Sequence, residues 1–113
     1  MDAELDPEDA KIITLARSAR ARSGAETGAA VRDTTGRTYA AVDVSLPSLR
    51  LSALEVAVAM AVSSGADGLE AAAVVAAAPE LTEAALAPAR DLKAGQVLLA
   101  DPSGRLTATY LTV

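Results

Sequence analysis

The chain contains no cysteine and no histidine. Their absence excludes disulfides, thiol nucleophiles, imidazole general bases and structural zinc of the usual Cys/His kinds. Only an oxygen-ligand metal site stays open, and no clustered Asp loop points to one. No cofactor is expected. Phenylalanine and tryptophan are missing too, which leaves Tyr39 and Tyr110 as the aromatic residues. Positive charge is scarce: the net charge is −5 and the pI about 4.6, which argues against a surface that tracks phosphates. The single basic run, RSARARS with Arg17, Arg20 and Arg22, has no aromatic interleaved for base stacking. It reads as the last turn of a helix, where cations complement the carbonyl end. The start, MDAELDPED, is acidic and unlike a signal peptide, and no apolar run reaches membrane-spanning length. No nucleic-acid or membrane partner is expected, and the chain reads as cytosolic.

What is present is small and apolar. The 113 residues form one domain, 1–113, long enough to bury about two-thirds of its unfolded surface. Hydrophobic residues make up 51%, far above the level of disordered chains. Alanine dominates them. A core of Ala, Val and Leu packs elements close together but buries little area per residue, so further burial through self-association is expected.

Residues 1–5 read as frayed. Asp6 is an N-cap candidate with Pro7 in the first helical position and Glu8 and Asp9 in the first turn. Ile12, Ile13, Leu15, Ala16 and Ala19 then give one apolar face, and Gly24 suits the stop, so a helix is expected over 7–23. Residues 27–33 and 37–44 alternate as two strands about the turn Thr34-Thr35-Gly36, an antiparallel hairpin. Ser45 to Arg50, with Pro47, reads as a connection. After the central segment, Gly65 to Gly68 is a tight loop. LEAAAVVAAA (69–78) is helix by alanine propensity or strand by context, and its place after a helix and a short loop favours a buried strand. Pro79 breaks it. Residues 81–92 read as a short helix that Pro88 kinks or ends. Residues 96–100 and 106–111 are strands about the turn Asp101 to Gly104. The order is α-β-β-α-β-α-β-β.

The central segment, Leu51 to Gly65, carries one charge, Glu55, and is otherwise apolar or small on every side. A helix greasy all round is buried on all sides, in a core or between subunits. Its first turn, Ser52-Ala-Leu-Glu55, fits the S-x-x-E capping box, which satisfies two free amides of the helix start.

This order, together with the helix ending ARSARARS and the stretch TGAAVRDTTGRTYAAVDVS, resembles the cytidine deaminase family. Its pattern, written loosely VGAAL-xx-DG-x-xYxGxN, is met by Gly28, Ala29, Ala30, Val31, Gly36 and Tyr39. AVSSG (61–65) is similar to the end of the family's zinc-bearing helix, and VLLADPSG (97–104) to its fourth strand and turn. The resemblance implies a three-layer α-β-α sandwich around a mixed five-stranded sheet. It also implies a dimer or tetramer built around the central helices, with Leu51, Leu54, Val58 and Val62 near the interface. Such deaminases use a metal to make hydroxide and a Glu to shuttle protons. In this chain the positions aligned with the three metal ligands are Ser52, Leu81 and Ala84, and Leu54 stands where the Glu would be. The ribose-holding positions fall near Asp43 and Ser45, and the base-stacking one near Ala25. The loop from Asp43 to Ser52 is about two residues short. Glu55 stands one residue late, a rotation of about 100° around a helix, and caps rather than catalyses. No catalytic residue is assigned.

Other constellations are thin. The seven serines other than Ser52, among them Ser18, Ser63 and Ser103, have no His or Ser-x-x-Lys partner to activate them. Gly65-Ala-Asp-Gly68 is too short for a phosphate loop. Asp33 and Asp43, on the hairpin, are the remaining acid/base candidates, although strand-end carboxylates are common. Two readings follow. The first is a zinc-free, inactive homo-oligomer that serves as a structural or protein-interaction module, its other protein partners unidentified. The second is a nucleoside-like ligand held in a remnant pocket of Asp43, Ser45, Ser52 and Glu55.

Overall fold

The computed structural model describes residues 5–112. Most of the expected fraying therefore falls outside the described residues; Leu5 itself packs against the apolar cluster around Ile12 and Ile13. Helix α1 runs Pro7–Ser23. Asp6 caps it by accepting the Glu8 N–H at 2.7 Å. Gly24, at φ 70°, closes it in the left-handed conformation, its N–H bonded to the Arg20 carbonyl. Arg20 and Arg22 occupy the last turn, where they meet the negative end of the helix dipole.

Strands β1 (Gly28–Asp33) and β2 (Thr38–Val42) form the expected antiparallel hairpin. A second hairpin follows in place of the expected connection: β3 (Val44–Leu46) and β4 (Leu49–Leu51) pair as a separate two-stranded sheet. Three-residue strands are too short to show a period of two, and Pro47 marks their turn. Then come α2 (Ala53–Ser63), β5 (Leu69–Val75), α3 (Glu83–Asp91), β6 (Gln96–Ala100) and β7 (Leu106–Leu111). The order is thus α-β-β-β-β-α-β-α-β-β. LEAAAVV is strand: buried between two neighbours, it follows its tertiary setting over alanine's helical preference. Pro88 neither ends nor prevents α3, which continues to Asp91.

The main sheet has order β2-β1-β5-β6-β7, with β5 and β6 parallel and every other pair antiparallel. One face carries α1: Ile12, Ile13 and Ala16 pack on Ala30, Ala71, Ala73, Val75 and Leu98. The other carries α2 and α3: Leu54, Ala57, Val58, Ala61 and Leu86 pack on Ala29, Val31, Ala72, Val74, Val97 and Leu99. This is the three-layer sandwich, with strand residues alternating between the layers except at the register shifts beside Asp33 and Ala100. Alanine on the strands lets the helices approach closely. The tightest point is Gly28, where a Cβ would lie 2.1 Å from the Ala16 carbonyl oxygen of α1.

Two pieces of polar chemistry fix this frame. Asp9 in α1 accepts from Arg32 Nη2 at 3.0 Å and from Gln96 Nε2 at 2.9 Å, while Arg32 Nε donates to Glu70 Oε1 at 2.7 Å. That network ties the start of α1 to β1, β5 and β6; it leaves Arg32 Nη1 buried without a partner among the described residues. The second piece is a turn used twice, Asp33-Thr-Thr-Gly36-Arg37 and Asp101-Pro-Ser-Gly104-Arg105. In each, the aspartate Oδ1 accepts from the hydroxyl and N–H two residues on and from the arginine N–H four residues on. In each, the glycine sits at φ near 90°, a conformation that favours a residue without Cβ.

Candidate functional site

Of the residues singled out by sequence, Ser52, Leu54 and Glu55 sit at the start of α2, and Leu81 and Ala84 at the start of α3. At α2, Ser52 is the N-cap. Its Oγ accepts the Glu55 N–H at 3.1 Å and Glu55 Oε1 accepts the Ser52 N–H at 2.7 Å, the reciprocal capping box read from the sequence. Both side chains are exposed. Leu54, between them, is 3% exposed and packs in the core.

At α3 the cap is Thr82, whose Oγ1 accepts the Ala85 N–H at 3.1 Å. Leu81 packs against the α2 and α3 side of the core, and its N–H donates to the Tyr110 hydroxyl at 2.8 Å. Ala84 is exposed on the first turn. Asp43 lies between β2 and β3, where its Oδ1 accepts the Thr27 N–H at 3.0 Å and closes the entrance of β1 against the exit of β2. Ser45 is exposed on β3, opposite Arg50. Of the remnant-pocket residues, hydrogen bonds join Ser52 to Glu55 and bring neither Asp43 nor Ser45 to them.

Within the chain itself the central helix is buried on one side only. Leu51 belongs to β4 and is half-buried, Leu54 and Val58 turn into the chain's own core, and Val62 is 49% exposed. The outward face presents Ala59, Met60 and Val62, so the helix is apolar on both faces and covered on one.

Hollows lie elsewhere. One of about 300 Å³ sits between the β1–β2 turn and the C-terminal end of α2, lined by Asp33, Thr35, Arg37, Tyr39, Ser64 and Asp67 among others. Another, about 320 Å³, lies beside Arg20, Glu26, Thr27 and Ala76 to Ala78. Neither is lined by Asp43, Ser45, Ser52 or Glu55. Asp33, the acid/base candidate of the first hollow, is 3% exposed. Both of its oxygens are occupied, Oδ2 by the Tyr39 hydroxyl at 2.9 Å. The Thr35 hydroxyl above all, then the Arg37 N–H and Tyr39, lower its pKa to about 2. A carboxylate so held is a poor proton acceptor near neutral pH. Sequence reasoning did not foresee this lock, although the repeated D-x-[T/S]-G-R pattern was visible.

The layers and the strand order define a cytidine deaminase-like fold. The chain belongs to the cytidine deaminase-like family, whose sequence profile matches residues 5–104. Among solved structures it is similar to the cytidine deaminase of Burkholderia pseudomallei, with a TM-score of 0.76 and 22% identity, over 90% of this chain and 91% of that one. It is similar also to the cytidine deaminase of Mycobacterium leprae, with a TM-score of 0.71 and 18% identity, over 95% of each chain. At these identities the likeness carries the fold alone. Among curated proteins, no sequence matches.

The zinc ion that the resemblance implied does not fit the donors present. Ser52 Oγ is occupied by a backbone N–H, and Leu81 and Ala84 have no side-chain donor atom. Among the described residues no group of three or more Asp and Glu side chains is placed to hold a metal.

Proposed function

We propose that this chain is a cytidine deaminase-like protein without zinc and without deaminase activity, which acts as a self-associating structural or protein-interaction module. One observation carries the reading: the helix start aligned with the metal and the acid/base Glu is closed by a capping box of Ser52 and Glu55. Hydrolytic deamination needs a water of lowered pKa and a carboxylate to move its proton. Glu55 holds a backbone amide instead, and Leu54 offers a hydrocarbon where the proton shuttle would stand. A nucleoside pocket at the same place has less to recommend it, because Asp43, Ser52 and Glu55 already bond the backbone. Self-association is supported by the half-covered central helix and by an alanine core that buries little area per residue. No helix among the described residues is long and apolar enough to cross a membrane.

The test is direct. Protein purified after growth in zinc-supplemented medium should contain far less than one zinc per chain by atomic emission. It should also release no uridine from cytidine above a protein-free blank. Stoichiometric zinc, or turnover that follows the purified chain, would refute the reading.

A further inference from the structure

The main sheet has two outer edges, β2 and β7. An outer edge leaves backbone N–H and C=O groups unpaired, and proteins blunt such edges with a bulge, a proline, a charge or a very short strand. β7 is blunted by the register shift beside Ala100, and β3 and β4 have three residues each. β2 has none of these devices. Its five residues, TYAAV, carry no charge and no proline and keep an unbroken register with β1. The Asp33 N–H bonds the Arg37 carbonyl, so the alternation of an antiparallel ladder makes Val31–Tyr39 and Ala29–Ala41 the bonded pairs. Thr38, Ala40 and Val42 then direct their N–H and C=O groups away from β1. No strand among the described residues takes them up.

A groove of about 320 Å³ lies beside this edge, between Ala40, Ala41 and Val42 and the end of α1, where Ala19, Arg22 and Ser23 form the other wall. Its strand side is made of small residues, so a further backbone can come close. Its one charged group is the exposed Arg22, which makes no ion pair among the described residues. An edge of this kind recognises an extended chain, with main-chain hydrogen bonds for affinity and alternate side chains for specificity. A groove whose only charge is positive favours a carboxylate on that chain. A second copy of β2 brings none, because TYAAV holds no acid and Asp43, the next residue, already accepts the Thr27 N–H.

We infer that the β2 edge is a docking site for an extended acidic segment of another protein, which adds a sixth strand to the main sheet and sets a carboxylate against Arg22. The inference rests on the protein-interaction part of the proposed function and names its surface and the chemistry of the partner.

Fluorescence anisotropy tests it with two synthetic fluorescein-labelled strands, TVTETVT and its lysine counterpart TVTKTVT. The wild type should bind the Glu strand at least tenfold tighter than the Lys strand, and Arg22→Glu should reverse that order. Ala40→Pro removes an outward N–H and no ladder bond, a change that edge strands tolerate. It should keep the circular dichroism spectrum and weaken binding of the Glu strand at least tenfold. If A40P does not fold, amide exchange in the wild type decides: the Glu strand should slow exchange at Ala40 and Val42. Equal affinity for the two strands, no saturable binding at millimolar concentration, or unchanged exchange at both amides overturns the inference. So does a dimer that A40P dissociates, which would give the edge to a second copy. Any of these with zinc and turnover still absent removes the docking edge and leaves the module standing, whereas zinc or turnover refutes the module whatever the strands do.

Discussion

Gly28 gives the sharpest test of how the sandwich is packed. It opens β1 directly beneath α1, where a methyl group would lie 2.1 Å from the Ala16 carbonyl oxygen and 3.0 Å from Arg20 Cβ. Ordinary contact needs about 3.5 Å, so Gly28→Ala forces helix and strand apart by roughly 1 Å or more. Neither side yields easily. The carbonyl belongs to helix backbone, and Ile12, Ile13 and Ala16 on the same face are at most 4% exposed. Overpacking of this kind costs about 1–3 kcal/mol and occasionally more. With the obstacle being backbone, we expect about 3 kcal/mol, partly offset by the roughly 0.4–1 kcal/mol that Gly→Ala changes gain through the unfolded chain. For a domain of this size the remaining 2 kcal/mol or more lowers Tm by on the order of 10 °C. Gly68→Ala is the control, since its methyl group would meet the Leu92 carbonyl oxygen at 3.4 Å and Thr34 Cγ2 at 3.5 Å, both ordinary contacts. Thermal denaturation by circular dichroism, at one fixed protein concentration because assembly shifts Tm, compares the two variants. A Gly28→Ala protein melting within about 3 °C of the wild type would refute the close-approach reasoning.

Two further outcomes follow from the caps and turns. Ser52→Ala removes the acceptor of the Glu55 N–H and should cost about 1 kcal/mol in urea denaturation. Glu55→Gln, which keeps the box's acceptor, should cost much less, and equal losses would argue against the box. Asp33 gives a pH signature. Its folded pKa, about 2, lies below the roughly 3.9 of an unfolded Asp. Its stabilisation is therefore complete above about pH 4 and lost as the pH falls through about 2. Urea midpoints measured between those values should fall with acid in the wild type and fall less steeply in Asp33→Asn. Some slope should remain, because the Ser103 hydroxyl and the Arg105 N–H hold Asp101 low as well. An unchanged slope in the variant would refute the assignment.

The elements legible in the sequence were those with a local signal. Asp6, Pro7 and Gly24 bracket α1 to the residue, and the turn Asp101 to Gly104 separates two strands whose bounds agree with the structure. The capping box was legible for the same reason, being four consecutive residues. The β3–β4 hairpin was not, because each strand has three residues and Pro47 imitates a connection. The Asp9–Arg32–Glu70–Gln96 network joins residues up to 87 positions apart, a separation that no periodicity reports. Which side of α2 faces the sheet was not legible for a related reason. A helix of Ala and Val has no polar stripe to show which side faces the sheet, so Leu54 and Val58 were as eligible for an interface as Val62.

Ser52 stands where β4 ends and α2 begins. A helix start leaves amides without intrahelical partners, and they favour an anion, a ligand or a capping side chain. A metal-bearing helix start can leave this need to the metal site's own donors and substrate. In the proposed reading, with serine, leucine and alanine at the aligned metal positions, the amides need a protein acceptor, and Ser52 with Glu55 supplies a reciprocal one. The cap also joins β4 to α2, so the residue that closes the helix fixes the direction in which the hairpin leaves it. In the proposed reading, the same few residues withdraw the helix start from chemistry, and this requires no change in the sheet, where Gly28 and the buried alanines keep the three layers in place.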